Sequence, residues 1–510
     1  MIRAPLAPLA TMLALLLVAG CQTSINPVTG RRQVVLMSEA DERQIDAAVA
    51  PQIEQSEGLV RDRELNAYVD GVGQSLAAHS KRKDVLYSFQ IIESEVPNAF
   101  ALPGGHIYIS RGLLTVANSE AELANVLGHE IGHVAARHAA QQDAHAKTLG
   151  LSTLLGDIMS GGAEALPDSE SISGHFIARY ARNQEREADR IGQDLSLEAG
   201  VDPSGMARFL QKLQNLDKLS SGFSSPQSYL ATHPALPERV AEATTNAQVR
   251  EWRAEITRDP LSARAPLTLG AKRDLYLDHI EGIPVGRPAS EGIFEEDHFL
   301  HPELNFSLRF PTDWHHINQS SQVVGLAPTR DGVVLVQVHG TGDDPLATAR
   351  KFAAAEGLRL EKLTPLKIGD LPALRAQTDL DTSFGHIDAE ITWIAHEGRI
   401  YALIAGTQPG GVRKYQGIFR RFAQSFRPLG AEDRAAITEL RLRTARSRAG
   451  ETLAELSERT GNEWDLTFTA IVNDLFVDDR LAADRRIKIA VREPYEAARR
   501  STAPSPSAQR

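Results

Sequence analysis

The string His129-Glu130-Ile131-Gly132-His133 constrains this chain more than any other stretch. With 16 His in 510 residues, chance predicts about 0.03 strings of the form HExxH. Two histidines four apart share one face of a helix, one turn from each other, so both imidazoles can reach a single Zn2+ ion. Glu130 then stands beside them, placed to take a proton from a metal-bound water. A helix is expected on independent grounds. Leu123, Val126, Leu127, Ile131 and Val134 recur at helical spacing, and Ser119 with Glu122 predicts a capping box at the start.

A site built on two histidines needs a third ligand. The best candidate is Glu185, in the segment from Arg179 to Gly192, where Glu185 and Asp189 are four apart and share a helical face. Glu185 would close the site, and Asp189 would accept the N–H of a ligating histidine and fix its tautomer. Glu187 lies about 200° round from Glu185 and is expected to face elsewhere. The same segment also fits an ordinary charged helix in which Arg182, Glu185, Arg186 and Asp189 form surface ion pairs. His138 falls nine residues after His129, about 180° round a continuous helix, and is expected to point away. A third histidine at the metzincin position is excluded, because Ala139 stands there.

Residues 25 to 250 resemble the zinc metallopeptidase family that includes the CAAX prenyl endopeptidases, HtpX and the mitochondrial Oma-type proteases, in its periplasmic BepA-like branch. The residues that carry the resemblance are Asn26 to Gly30, Pro97 to Gly105, the HEIGH string, Glu185 to Asp189, and Thr232-His233-Pro234. The resemblance implies a gluzincin-type zinc endopeptidase with His129, His133 and Glu185 as metal ligands and Glu130 as general base. It also implies that His233 can serve as a gate ligand in the metal's open position.

Upstream, Gly104 to Ser110 alternates, with His106, Tyr108 and Ser110 on one face and Ile107 and Ile109 on the other. This predicts an edge strand on which an extended substrate could add by main-chain hydrogen bonds. Asn98 and Phe100 just before it are expected to shape the cleft.

The first 20 residues carry one early positive charge, Arg3, and an apolar run from Leu6 to Ala19, the pattern of a signal peptide. The run ends in Val18-Ala19-Gly20-Cys21, which resembles a bacterial lipobox. Cys21 is the only cysteine, so no disulfide forms within the chain. The expectation is cleavage that leaves Cys21 as the lipidated N-terminus and, because Gln22 rather than Asp follows, a periplasmic protein tethered to the inner leaflet of the outer membrane. No other stretch reaches the roughly 18 apolar residues of a spanning helix. A net charge of −11 argues against nucleic acid as a partner, and the family resemblance with the expected compartment implies proteins or peptides as substrates.

The expected fold class is α+β. A mainly helical gluzincin-type zinc peptidase domain with a short edge-strand sheet occupies 21–255. Residues 256–295, with Pro260, Pro266, Pro284 and Pro288, read as a linker, and an α+β domain follows at 296–430. Strands are expected near 304–310, 333–338, 389–395 and 400–404, and helices at 346–356 and 412–426; the pattern loosely resembles the PsbP/Mog-like fold. The adjacent pair His315-His316 is expected in a turn and without a metal role. Residues 431–495 read strand, helix, helix, strand and resemble a degenerate LysM module, which would make peptidoglycan a partner. A Gly- and Ser-rich stretch at 150–174 reads as a flap beside the cleft, and 496–510 as a disordered tail. Taken together the chain reads as an endopeptidase for misfolded or unassembled envelope proteins. Two other readings stay open, a chaperone or assembly factor for outer-membrane proteins with a latent metal site, and a cell-wall hydrolase.

Overall fold

The computed structural model describes residues 22–148, 180–219, 228–234, 237–257, 269–382 and 385–496. The expected signal segment, Cys21, the expected flap at 150–174 and the expected tail beyond Glu496 lie outside the described residues. The chain is mixed α+β and divides into two compact units, one made of Met1–Gly286 and Arg441–Val491, the other of Arg287–Leu440 and Arg492–Arg510. None of the described helices is long and apolar enough to cross a membrane.

The first unit opens with a hairpin, β1 (Gln22–Ile25) and β2 (Arg32–Val35). Helices α1 (Glu39–Glu57) and α2 (Arg63–Ala77) follow. Ser38 and Asp41 cap α1 reciprocally, and the Asp62 carboxylate accepts from two N–H groups at the start of α2. A three-stranded sheet comes next, β3 (Ser88–Ile92), β4 (Ala99–Ala101) and β5 (His106–Ser110), in the order β3-β5-β4. The strand carrying His106 and Tyr108 is therefore central, not the expected edge. It pairs parallel with β3 on one side and antiparallel with β4 on the other. The period-two pattern reports that a strand has two faces, not where it stands in a sheet, so position could not be read from it. The edges are β3, which Leu59 and Val60 partly cover, and β4, the short strand that holds Phe100.

Helix α3 (Arg111–Val116) leads to α4 (Glu120–Ala135), which carries the HEIGH string. The Ser119 side chain accepts from Glu122 N–H, but the Glu122 carboxylate takes the N–H of Asn118, so the expected reciprocal box is half formed. Then come α5 (His138–Thr148), α6 (Arg182–Glu198), α7 (Gly205–Leu219), the short α8 (Tyr229–Thr232), α9 (Pro237–Thr257) and α10 (Leu269–Ile280). Tyr276, Leu277 and Ile280 of α10 are buried, so the expected linker at 256–295 contains a core helix; its prolines all lie outside that helix.

In the second unit, β6 (Ile293–Glu295), β7 (His298–His301) and β8 (Phe306–Arg309) form one small sheet. A seven-stranded antiparallel sheet is built from β9 (His315–Asn318), β10 (Gln322–Leu326), β11 (Gly332–Thr341), β12 (Glu361–Ile368), β13 (Leu371–Thr382), β14 (Gly385–His396) and β15 (Arg399–Thr407), in the order β12-β13-β14-β15-β11-β10-β9. Helix α11 (Pro345–Glu356) covers one face of it, over Ile391 and Trp393. Helix α12 (Val412–Gln424) covers the other, where Tyr415, Phe419 and Phe422 meet Ile394, Tyr401 and Leu403. His315 and His316 lie on β9, not in a turn, and His316 stacks on Phe294. Strands β12 and β13 escape the sequence reading because charges interrupt their apolar residues, and β9 and β10 because they are only four and five residues long.

After β16 (Arg427–Pro428) and α13 (Ala431–Ala436), the chain forms β17 (Thr438–Arg446), α14 (Leu453–Thr460), α15 (Leu466–Val472) and β18 (Arg486–Pro494). The strand-helix-helix-strand order is the expected one. Residues 441–491, however, belong to the same compact unit as the metal helices rather than standing alone. Lys488 shows why. Fully buried, its side-chain nitrogen donates to the carbonyls of Thr115 and Ala117 at 2.6 and 2.8 Å, at the end of α3.

Candidate metal centre

The two helices that matter, α4 and α6, touch through residues with little or no side chain. A Cβ on Gly192 would lie 2.7 Å from the backbone nitrogen of His129, and one on Gly128 would lie 2.9 Å from the Gly192 carbonyl oxygen. Only glycines allow backbones this close. That approach carries Glu185 and Asp189 of α6 to the histidines of α4.

Four buried side chains then converge: His129, His133, Glu185 and His233. His129 Nε2 is 2.9 Å from His133 Nε2 and 3.2 Å from His233 Nδ1. Glu185 Oε1 is 3.4 Å from His133 Nε2 and 3.0 Å from His233 Nδ1. Tetrahedral Zn2+ with bonds of about 2.0–2.1 Å needs ligand atoms about 3.3 Å apart. The donor set and its spacing fit that ion, with all four positions supplied by the protein.

His129 Nδ1 is 2.9 Å from Asp189 Oδ1, as expected for a carboxylate that orients a ligating imidazole. Arg239, at the start of α9, donates to both Asp189 oxygens at 2.7 and 2.8 Å and lies 2.7 Å from Glu185 Oε2. Burial alone would raise the pKa of Glu185. The positive charge of His233 and hydrogen bonds from His133 and His233 outweigh it and hold the carboxyl well below its usual range. Burial, and then the His129 charge, push the His133 imidazole well below its ordinary value, so it stays neutral, the form a metal requires.

Glu130 is fully buried, and burial raises its pKa. Neither of its oxygens has a hydrogen-bond partner among the described residues, and His233 Nε2 is 3.7 Å from one of them. Tyr229 stacks on the His233 ring at 4.6 Å, with its hydroxyl buried and unpartnered. Tyr180 stacks on His133 at 3.8 Å.

The substrate-strand residues fare differently. His106 pairs with Asp46, and Tyr108 is buried in a core cluster with Phe100, Val35 and Ile53. Phe100 and Tyr108 are core residues, while the His106 side chain stays 34% exposed. Asn98 sits at the start of β4, buried, with its side-chain oxygen unpartnered. His138 also departs from expectation. Helix α4 ends at Ala135, and Arg137 takes a φ of 60°, so the helical projection from His129 no longer applies. His138 Nδ1 lies 2.9 Å from His133 Nδ1, and Glu187, expected to face elsewhere, is 3.4 Å from its other nitrogen. Arg239, Tyr180 and Tyr229 carry no sequence signal beyond their places in or beside helices. Among the described residues, one other group of metal-type donors, Asp379, His386 and Asp388, lies at the surface on β13 and β14, and an exposed acidic cluster of that kind is not a site by itself.

Residues 59–247 match the model of Peptidase family M48. The chain is 30% identical over 244 residues to the Beta-barrel assembly-enhancing protease of Escherichia coli (strain K12), an alignment that covers 46% of this chain and 49% of that protein. It is 29% identical over 194 residues to the Mitochondrial metalloendopeptidase OMA1 of Schizosaccharomyces pombe, covering 37% of this chain and 53% of that one. The chain thus spans about half the length of the curated relatives it matches. Among solved structures, the cyanobacterial PsbP of Synechocystis sp. PCC 6803 aligns at 10% identity over 27% of this chain and 95% of that one, with a TM-score of 0.22, too low to assign a fold.

Proposed function

We propose that this chain is a lipid-anchored zinc endopeptidase of the bacterial envelope, held at rest by His233. One observation carries the reading: four buried donors at tetrahedral spacing stand beside an unpartnered, buried carboxylate, Glu130. His129, His133 and Glu185 would hold the metal, and Glu130 would be the general base. Zinc, when bound, supplies a water of lowered pKa and polarises the scissile carbonyl. Glu130 takes the proton and can return it to the leaving amine. Asp189 holds the His129 ring, and Arg239 holds Asp189 and Glu185. The edge strand β4 offers the main-chain rail for an extended substrate. His233 occupies the place that a water needs in the donor set and also approaches Glu130 at 3.7 Å, so one side chain blocks both partners of the reaction.

Misfolded or unassembled envelope proteins are the proposed substrates. Two things support this, the lipobox-like Val18 to Cys21 and the likeness to a protease named for β-barrel assembly. The closed donor set also favours a second reading, an assembly factor whose metal site stays latent. The two part on His233→Ala, which gains cleavage only if the site is gated. Peptidoglycan as a partner rests on the LysM-like order of 437–494 and is tested by sedimentation with purified sacculi.

The ligand assignment is tested by metal content. Wild type should bind one zinc per chain and Glu185→Ala much less than one. Full zinc in Glu185→Ala would remove Glu185 from the site.

A further inference from the structure

His133 has a second nitrogen, and what lies behind it is not an acid but another histidine. His133 Nδ1 is 2.9 Å from His138 Nδ1, and His138 Nε2 is 3.4 Å from Glu187 Oε2. The other Glu187 oxygen accepts from Asn26 Nδ2 at 3.0 Å. Asn26 in turn accepts, through Oδ1, the N–H groups of Val28 and Thr29 at 2.9 and 3.1 Å. His133, His138 and Asn26 are all buried, and the Glu187 side chain is 23% exposed.

The direction of every bond in this chain is forced. If His133 binds metal through Nε2, its Nδ1 carries the proton. Two ring N–H groups cannot face each other, so His138 Nδ1 must be the acceptor. A neutral His138 then bears its proton on Nε2, where Glu187 accepts it. Glu187 only accepts, so Asn26 turns its NH2 toward it, which leaves the amide oxygen for the turn between β1 and β2. Each of these contacts then joins one donor to one acceptor.

We propose that His138, Glu187 and Asn26 are positioning residues that fix the tautomer and tilt of His133, making the β1–β2 turn part of the metal centre. The two ligand histidines are thus oriented by different devices, His129 directly by a carboxylate and His133 through an intervening imidazole. This rests on the reading of His133 as a zinc ligand.

The test is zinc affinity of the full chain by chelator competition, with the absorption spectrum of the cobalt(II) form as a second readout. Partners of this kind change metal affinity by about 10–100-fold. Glu187→Ala and His138→Phe should each weaken zinc by that much and shift the cobalt bands, while Arg186→Ala on the same helix should do neither. Glu187→Gln should recover part of the loss, because its amide oxygen still accepts from His138. Asn26→Ala should cost several-fold, and Asn26→Ala with Glu187→Ala should be no worse than Glu187→Ala alone, since Asn26 acts only through Glu187. Wild-type affinity within twofold and unshifted cobalt bands in both Glu187→Ala and His138→Phe would overturn the relay. If wild type itself takes up no zinc, or His133→Ala keeps it, the parent reading fails and the relay with it.

Discussion

Replacing Glu130 by Gln keeps the shape of the side chain and removes its ability to take a proton. Glu130→Gln should bind zinc as wild type does and lose cleavage by about 10²–10⁴-fold, measured by zinc content and turnover side by side. Arg239 makes the opposite prediction, on stability rather than chemistry. It is 2% exposed and pairs with two buried carboxylates, so Arg239→Leu strands both acids. Breaking such a pair costs about 3–5 kcal/mol, which urea unfolding of the variant should show. The two residues also differ in how plainly the sequence announces them. Glu130 lies inside a string whose spacing encodes a helix face. Arg239 lies six residues beyond His233 in a charged helix start, where nothing in spacing separates it from its neighbours. His138 escapes its helical projection for a different reason. A helical projection assumes an unbroken helix, and Arg137 in the left-handed region breaks it.

At the scale of elements, the centre depends on how closely α4 and α6 approach. Gly192→Ala places a Cβ 2.7 Å from His129 N, where only backbone can yield. The expected cost is about 1–3 kcal/mol with weaker zinc uptake, read by denaturant unfolding and metal titration. Stability and zinc affinity equal to wild type would mean the helix contact does not set the ligand geometry. Helix α4 was legible because its apolar residues repeat at helical spacing and Ser119 caps its start, and α6 through the four-residue spacing of Glu185 and Asp189 alone, since its N-cap is Ala181. The edge strand was not. Strand β4 has three residues, too few for a period, and the longer, better-patterned β5 drew the assignment instead.

At the scale of the molecule, the C-terminal strand-helix-helix-strand segment is part of the unit that holds the metal helices. Lys488 should therefore matter to the stability of that whole unit. Lys488→Met leaves the Thr115 and Ala117 carbonyls without their donor, a loss on the order of 2–4 kcal/mol, visible as a lower midpoint of the transition that also melts the metal centre. A separate module would instead melt on its own and leave the centre untouched. Sequence pattern could find the order of these elements but not their docking, because the docking runs through a few buried polar groups rather than a periodic apolar face. The account as a whole turns on whether the site is a gated peptidase. The direct measurement is cleavage of an unfolded model protein by zinc-loaded wild type, Glu130→Gln and His233→Ala. The account predicts slow cleavage by wild type, faster cleavage by His233→Ala and none by Glu130→Gln. Zinc bound in all three with no cleavage by any would contradict it and leave the latent assembly factor as the function.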